Sequence, residues 1–225
     1  MRPWKIILDQ KASAAENMRR DEELFKSQTP AVRIYGWTQD SITLGYFQDP
    51  QKELDIQLAK RLGVDWAKRP TGGGIAFHSP GDVAYCVSAP LGMLPRGLIN
   101  SYLYISSIIL KSLLDLKIRA QIVADGINAA ALKKMPARMC FARSMSHEIS
   151  VNGKKVVGSA QRRTKDRMIQ QGTISMHKYE DRLVSVLRGS NDVGPFENGI
   201  DGVLPDYEQI SNALLRNFKN ELAAV

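Results

Sequence analysis

Apolar residues recur at helical spacing in several stretches of the chain. Residues 13–26 carry Met18 and Leu24 on one stripe, and Ser13 opens this segment with the spacing of a capping box. The strongest helical pattern covers residues 98–116, which are apolar on more than one side and are therefore predicted to pack on a sheet. Further helices are predicted over residues 49–62, 179–187 and 207–222.

Shorter apolar runs bounded by turn residues predict strands. Residues 75–77 and 83–88 are predicted to pair across the Ser-Pro-Gly-Asp turn that joins them. Asn152-Gly153 marks a hairpin because this pair suits positive φ, so residues 147–174 form strand, turn, strand, strand. The remaining predicted strands are residues 32–35, 42–46 and 64–68.

Strands and helices mix without strict alternation, which predicts an α+β fold with mixed, largely antiparallel sheets flanked by helices. The chain has 225 residues, 44% of them hydrophobic, so residues 1–225 are predicted to form a single domain. No apolar run reaches the roughly 18 residues that span a bilayer. Polar residues also follow the basic N-terminus too soon for a signal peptide. We expect a cytoplasmic protein without membrane association.

The charge balance favours an acidic partner, because 31 Lys and Arg residues against 23 Asp and Glu residues leave a formal charge of +8. Nucleic acid is one such partner, and an acidic carrier or acceptor protein fits the charge equally well. This charge and the basic cluster at residues 162–165 motivate a further alternative, a non-catalytic basic module that binds nucleic acid or an acidic protein. The cluster lacks interleaved aromatic residues, so nucleic-acid binding is not expected.

A glycine cluster is the first candidate for chemistry. Gly72 to Gly74 follow the adjacent cations Lys68 and Arg69, so open backbone amides and positive charge together suit a phosphate or a carboxylate. The spacing is neither that of a P-loop nor Gly-x-Gly-x-x-Gly, and a plain glycine-rich turn is the competing interpretation. His78, taken alone, is more typical of a structural hydrogen-bonding residue than of a catalyst.

Two cysteines have to be judged separately. Cys140 lies between Arg138 and Arg143, and nearby cations lower the pKa of a thiol and favour the nucleophilic thiolate. A buried core filler is the alternative for Cys140, and more strongly so for Cys86 inside a predicted strand. Two cysteines and three histidines lack metal-ligand spacing, so no metal site is predicted.

Several of these stretches, taken in order, resemble the lipoate-protein ligase and octanoyltransferase superfamily. The signature loop is Lys-Arg-Pro-Thr-Gly-Gly-Gly-Ile-Ala-Phe-His at residues 68–78, and the second block is Gly-Lys-Lys-Val-Val-Gly-Ser-Ala-Gln at residues 153–161. Residues 17–22, 33–37, 42–48 and 171–173 are similar too. The resemblance implies a mixed α/β catalytic domain around an acyl-binding tunnel, without the large C-terminal accessory domain that many ligases carry.

The resemblance also implies roles for particular residues. In this family the active lysine directly precedes the hydrophobic pair and Gly-Ser or Gly-Ala, which places it at Lys155, where it would stabilise developing negative charge. Cys140-Phe141, a following serine and Glu148 resemble the cysteine-dependent octanoyltransferases, in which Cys140 would be the nucleophile. The substrate-binding residues implied are Arg69, Thr71, Gly72, Gly73, Gly74, His78, Gly158, Ser159 and Ala160.

The implied reaction moves an octanoyl or lipoyl group from acyl carrier protein to a lysine of a lipoyl domain, in lipoate biosynthesis. The acceptor would belong to a 2-oxo acid dehydrogenase or to the glycine cleavage protein. No cofactor is required, because exchange of one thioester for another is nearly isoenergetic. The alternative is a ligase that uses ATP and Mg to activate lipoate as lipoyl-AMP. It is motivated by the third glycine, Gly74, where octanoyltransferases often have arginine, and it leaves Cys140 without a catalytic role.

A second departure concerns Gln171, which stands where the family often has histidine before Gly-Ser or Gly-Thr. Three properties stay open at the level of the sequence: the length of the acyl chain, the oligomeric state, and the distance between Cys140 and Lys155.

Overall fold

A computed structural model describes residues 3–123, 148–175, 179–189 and 205–223. The strands are β1 (Lys5–Leu8), β2 (Ala31–Tyr35), β3 (Ser41–Leu44), β4 (Asp65–Lys68), β5 (Ala76–His78), β6 (Val83–Pro90), β7 (Ala120–Ile122), β8 (Ile149–Val151), β9 (Lys154–Arg163) and β10 (Arg167–Ile174). The helices are α1 (Ala14–Lys26), α2 (Pro50–Glu53), α3 (Ile56–Arg61), α4 (Leu98–Asp115), α5 (Asp181–Ser185) and α6 (Tyr207–Leu222). This α+β architecture confirms the predicted fold class.

The described strands form two sheets. The larger has seven strands in the order β1-β2-β6-β10-β9-β8-β7, and the smaller has three in the order β4-β3-β5. Neighbours are antiparallel except for two parallel pairs, β1 with β2 and β3 with β4. The mixed, largely antiparallel pairing agrees with the sequence prediction.

The predicted pairing of residues 75–77 with residues 83–88 is wrong. Strand β5 pairs with β3, where Ser41 stands opposite His78, whereas β6 pairs with β2 and β10 in the other sheet. The predicted turn does form, and Asp82 accepts a hydrogen bond from the Ser79 amide at 2.9 Å. The turn carries the chain from one sheet to the other, because β5 and β6 each pair with other strands and are almost entirely buried there.

Two predicted helices are shorter than their apolar patterns. The helix over residues 49–62 is broken, because Leu54 has extended backbone and bridges to Leu187, and Asp55 then caps α3 by accepting a bond from the Leu58 amide at 2.9 Å. The predicted helix over residues 179–187 is helical only in α5. Tertiary contacts therefore override local periodicity in both segments.

The large sheet is covered on both faces, and this arrangement creates room for a site. Helices α4 and α6 pack on one face and share a core with residues such as Val87, Ile108 and Phe218. Helix α1 packs on the opposite face beside the small sheet, where Met18 and Cys86 are buried. Each such side chain contributes roughly 1.5–3 kcal/mol on burial. No helix in the described residues is both long enough and apolar enough to cross a membrane.

Candidate acyl-transfer site

A cleft lies between the large sheet and the small sheet, with about 380 Å³ of empty space that is partly open to solvent. Three parts of the chain line it: α1 with the segment after β2, the small sheet, and the β9–β10 hairpin. The lining residues are Met18, Tyr35, Trp37, Thr43, Arg69, Ala76, His78, Gly158, Ser159, Ala160, Gln171, Gly172 and Thr173.

Small residues on β9 and β10 line one wall of the cleft, so few side-chain atoms project into it from that side. Gly158 stands opposite Thr173 and Ser159 opposite Gly172 in the antiparallel register. A Cβ atom on Gly172 would lie 2.4 Å from the Tyr85 hydroxyl oxygen, so only glycine fits there. The Tyr85 hydroxyl lies 2.5 Å from Ser159 Oγ, and burial raises the pKa of Tyr85 to about 12, which keeps this hydroxyl protonated.

His78 forms a neutral polar wall of the cleft. Its Nε2 lies 2.7 Å from Thr43 Oγ1 and its Nδ1 lies 3.2 Å from Thr173 Oγ1, so hydroxyl groups satisfy both ring nitrogens. The imidazole stacks on Trp37 with 3.9 Å between ring centroids. Burial lowers the pKa of His78 well below its usual range, and the positive charge of Arg69 lowers it further. His78 is therefore uncharged at neutral pH.

The glycine-rich loop at the end of β4 is held from inside by an arginine. The Arg69 guanidinium donates to the carbonyl oxygens of Gly72 at 3.1 Å and Gly74 at 2.7 Å. The loop also packs tightly on the end of β3, because a Cβ atom on Gly45 would lie 1.9 Å from the Gly73 carbonyl oxygen. Gly73 has φ of +94°, a conformation that favours glycine. Arg69 thus sets the shape of this loop.

A buried hydrogen-bond network connects the glycine-rich loop to α1 and to strands β2 and β10. Asp21 is fully buried and accepts hydrogen bonds from Arg33 at 2.8 Å, Tyr35 at 2.7 Å and Gln171 at 2.7 Å. Gln171 in turn accepts a bond from the Thr71 hydroxyl at 2.8 Å. Burial raises the pKa of Asp21, and the Arg33 charge opposes this rise. Gln171 therefore has a defined structural partner on each side.

Lys155 forms a buried ion pair. Its Nζ lies 2.5 Å from Glu148 Oε1, and both side chains are almost inaccessible to solvent. The pair joins Lys155, near the start of β9, to Glu148, the residue before β8. Gly158, the first residue of β9 that lines the cleft, follows three residues after Lys155. A buried pair of this kind is stable only while both partners remain, since either charge alone would be costly to bury.

The chain matches the family model described as lipoyl protein ligase A/B catalytic domain over residues 13–222. This protein belongs to that family. The match confirms the family resemblance predicted from the glycine-rich loop and the Gly-Lys-Lys block.

Curated relatives and solved structures agree with this assignment. Octanoyltransferase LipM of Anoxybacillus flavithermus is 31% identical, with 99% of this chain and 77% of the relative covered. Octanoyltransferase LipM of Carboxydothermus hydrogenoformans is 35% identical, with 84% and 70% covered. A T. acidophilum structure with bound lipoic acid has a TM-score of 0.73 at 25% identity, with 99% of this chain and 87% of that chain covered. Lipoate-protein ligase A bound with ATP shares the fold, with a TM-score of 0.72 at 22% identity and coverage of 99% and 85%.

The structure of this lipoyl ligase family member brings most of the predicted site residues together. Five line the cleft: Arg69, His78, Gly158, Ser159 and Ala160. Thr71 and the three glycines form the adjoining loop, and Lys155 lies near the start of the same strand as Gly158. Cys140 lies outside the described residues. The chemical roles of all these residues stay predictions.

Sequence reasoning missed part of the cleft wall and the internal partners of the site. Met18, Trp37 and Thr43 line the cleft, yet only their surrounding stretches had been matched to the family. Glu148 was noticed as part of a motif, but its pairing with Lys155 was not predicted. In the described parts of the chain, no three His, Cys, Asp or Glu side chains are grouped to hold a metal ion.

Proposed function

We propose that this protein transfers an octanoyl group from acyl carrier protein to a lysine of a lipoyl domain, in lipoate biosynthesis. The observation that carries the proposal is the similarity to octanoyltransferases LipM along nearly the whole chain, at 31% identity in one relative. The cleft supports it, because apolar residues such as Met18 and Trp37 line a space suited to an alkyl chain. Each buried methylene contributes about 0.8 kcal/mol to binding.

The proposed reaction has two balanced steps through Cys140. The Cys140 thiolate attacks the carbonyl carbon of the octanoyl thioester, a new C–S bond forms, and the carrier leaves as its thiolate. The neutral amine of the acceptor lysine then attacks this acyl-enzyme, the C–N bond forms, and the C–S bond breaks so that the Cys140 thiolate leaves. The proton that the amine loses passes through solvent to the carrier thiolate released in the first step. One thioester replaces another in the first step, so the reaction has no need of ATP or another cofactor.

The described residues would bind and orient the acyl group. Lys155 is proposed to stabilise negative charge on the acyl oxygen, and its ion pair with Glu148 holds the ammonium group in a fixed position. The glycine-rich loop, fixed by Arg69 and Thr71, would present backbone amides beside the acyl head group. His78 is proposed to contact the acyl group as an uncharged hydrogen-bonding wall.

The partners follow from the proposed chemistry. The donor is acyl carrier protein, and the acceptor is the lipoyl domain of a 2-oxo acid dehydrogenase or of the glycine cleavage protein. Both partners are expected to be acidic, which suits a chain of charge +8. The expected location is the cytoplasm.

The second candidate is ATP-dependent ligation of lipoate, in which Mg and ATP activate the carboxylate as lipoyl-AMP. Two observations favour it: the triple glycine ending at Gly74, and the T. acidophilum structure with bound lipoic acid at 25% identity. In this reaction Cys140 would have no chemical role, while Lys155 and the glycine-rich loop would keep theirs.

Two parallel assays separate these functions. The first supplies octanoyl carrier protein and an unmodified lipoyl domain without ATP, and the second supplies free lipoate with ATP and magnesium. We expect transfer in the first, loss of at least a thousandfold in Cys140→Ser, and an octanoyl adduct on Cys140 by mass spectrometry. Transfer confined to the second assay, or a fully active Cys140→Ser, would refute the cysteine mechanism. Cys86→Ser is the matched control, because Cys86 is a buried core residue.

A further inference from the structure

Two exposed aromatic residues lie beside the glycine-rich loop. Phe47 is 90% exposed and Tyr46 is 47% exposed, and their rings meet edge to face with 5.1 Å between centroids. Soluble proteins rarely leave adjacent large aromatic side chains in water unless these contact a partner. The pair lies directly after β3, on the loop that contacts the glycine-rich segment.

The backbone connects this aromatic pair to the site. The Tyr46 amide donates to the Thr71 carbonyl oxygen at 2.9 Å, and the neighbouring Gly45 packs against the Gly73 carbonyl. A macromolecule bound on Tyr46 and Phe47 would therefore contact the same loop that borders the acyl cleft.

Two cations flank the aromatic pair. The Arg162 guanidinium lies 4.7 Å from the centroid of the Tyr46 ring, and Lys68 Nζ lies 6.0 Å from it. Arg162 stands two residues after Ala160 on the same face of β9, so the charged surface continues the wall of the cleft. Among the residues that the structure describes, neither Lys68 nor Arg162 has a carboxylate partner. The Arg162 guanidinium also donates to the Pro70 carbonyl oxygen at 3.1 Å and lies 5.5 Å from the centroid of the Phe25 ring, and neither contact neutralises its charge.

We propose that Tyr46, Phe47, Lys68 and Arg162 form the docking surface for the acceptor protein, an acidic domain that presents its target lysine into the cleft. The proposal rests on the proposed function and deepens it. The acceptor is the partner that both the thioester route and the ligase route require, since each ends with an amide bond to a protein lysine. The exposed Phe47 ring supplies apolar contact area, and the charges of Lys68 and Arg162 favour a partner with acidic residues around its contact surface.

The test is steady-state transfer to an unmodified lipoyl domain at saturating octanoyl carrier protein. Phe47→Ser and Lys68→Glu are each expected to raise the KM for the lipoyl domain about tenfold, in the range for loss of an interface anchor. In Phe47→Ser, the KM for octanoyl carrier protein and the rate of transfer to a small amine, hydroxylamine, should stay unchanged. Leu114→Ser and Lys219→Glu are the matched controls, because both residues are exposed on the helices behind the large sheet.

Two other results of this assay would refute the proposed docking surface. An unchanged KM for the lipoyl domain overturns the proposal, and so does an increase confined to the KM for octanoyl carrier protein, which would make this the donor surface. Should the wild-type chain transfer no acyl group from either donor, the proposed function fails by itself. Calorimetric binding of the unmodified lipoyl domain then tests the surface directly: weaker binding to Phe47→Ser supports it, and equal or absent binding refutes it.

Discussion

His78 shows how strongly the environment of one side chain determines its chemistry. As an isolated residue it gave little functional information, and the sequence favoured a structural hydrogen-bonding role. The structure places it between two threonine hydroxyls and against Trp37, where it has no contact with bulk water. A group so enclosed can shape and polarise a cleft without carrying charge.

The lowered pKa of His78 has a consequence for stability. The unfolded chain binds a proton at His78 below pH 6.5, whereas the folded chain does not until the pH falls well below that value. Stability therefore decreases as pH falls below 6.5, by up to about 1.4 kcal/mol per pH unit from this group. Urea unfolding of wild type and His78→Asn between pH 7 and pH 5 should show a smaller pH dependence in the variant. Parallel curves for the two proteins would contradict the assignment.

Gly45 sets the distance between the end of β3 and the glycine-rich loop. We expect Gly45→Ala to displace this loop, because the added methyl carbon would lie 1.9 Å from the Gly73 carbonyl oxygen. The expected cost is about 2–4 kcal/mol, as for other overpacked sites. Thermal unfolding measures it, with Gly92→Ala as the control because no atom lies within 4 Å of that added carbon. Equal melting temperatures for the two variants would show that the loop adjusts freely.

At the scale of elements, the turn of the β8–β9 hairpin was predictable from the sequence, whereas the ion pair beside it was not. The turn followed from Asn152-Gly153, which adopt positive φ of 50° and 77° as the sequence indicates. The ion pair between Glu148 and Lys155 did not follow, because it joins β9 to the residue before β8, and the register of these paired strands shifts between Ile149 and Ser150. Sequence periodicity cannot reveal a bulge of this kind.

Breaking this ion pair is expected to destabilise the fold. Glu148→Gln and Lys155→Met should each cost about 3–5 kcal/mol, because each removes one member of a buried ion pair while the charge of the other member stays buried. The double variant should cost less than the sum of the two single variants. A double-mutant cycle of urea unfolding gives this coupling. Strict additivity would mean that the two charges do not interact in the folded state, and any loss of transfer in Lys155→Met has to be corrected for unfolded protein.

The fold class, α1, α4, α6 and the β8–β9 hairpin were predictable because their patterns are long or carry specific turn and cap residues. Strands β1 and β7 were missed, since each is a short strand at an edge of the large sheet. The partner of β5 was predicted wrongly because a local turn indicates that two strands are adjacent in sequence, not that they share a sheet. The cleft lies between the two sheets and exists because the chain passes from one sheet to the other between β5 and β6. Its walls could therefore not be assembled from the sequence alone.

The same limit applies to the residues of the site. The glycine-rich loop was located from its composition, and the structure shows Arg69 lining the cleft beside it. Arg69 was expected to meet a substrate charge, whereas its described contacts also include the carbonyl oxygens of its own loop. Gln171 stood out as a departure from the family. Its role became visible only when the structure joined Thr71 to Asp21, which are 50 residues apart in the chain.

For the whole molecule, the charge of +8 should govern encounter with acidic partners. Transfer to an acidic lipoyl domain is expected to lose about tenfold in kcat/KM between roughly 50 and 300 mM NaCl, as the Debye length shortens to less than about 10 Å. Transfer to hydroxylamine should change little over this range, because that acceptor is uncharged. Equal salt dependence for both acceptors would assign the effect to the active site or to the donor.

The two sheets also imply that the walls of the cleft open at different rates. β6 and β10 lie inside the seven-stranded sheet and are bonded on both sides, so their amide hydrogens should exchange with solvent only when the whole domain unfolds. The three-stranded sheet needs far less disruption to open, and its amides should exchange sooner. His78 and Arg69 would then move with the faster wall, while Gly158 and Gln171 keep their places. An acyl chain could enter or leave the cleft by local opening of that wall, without any loss of the domain's stable centre.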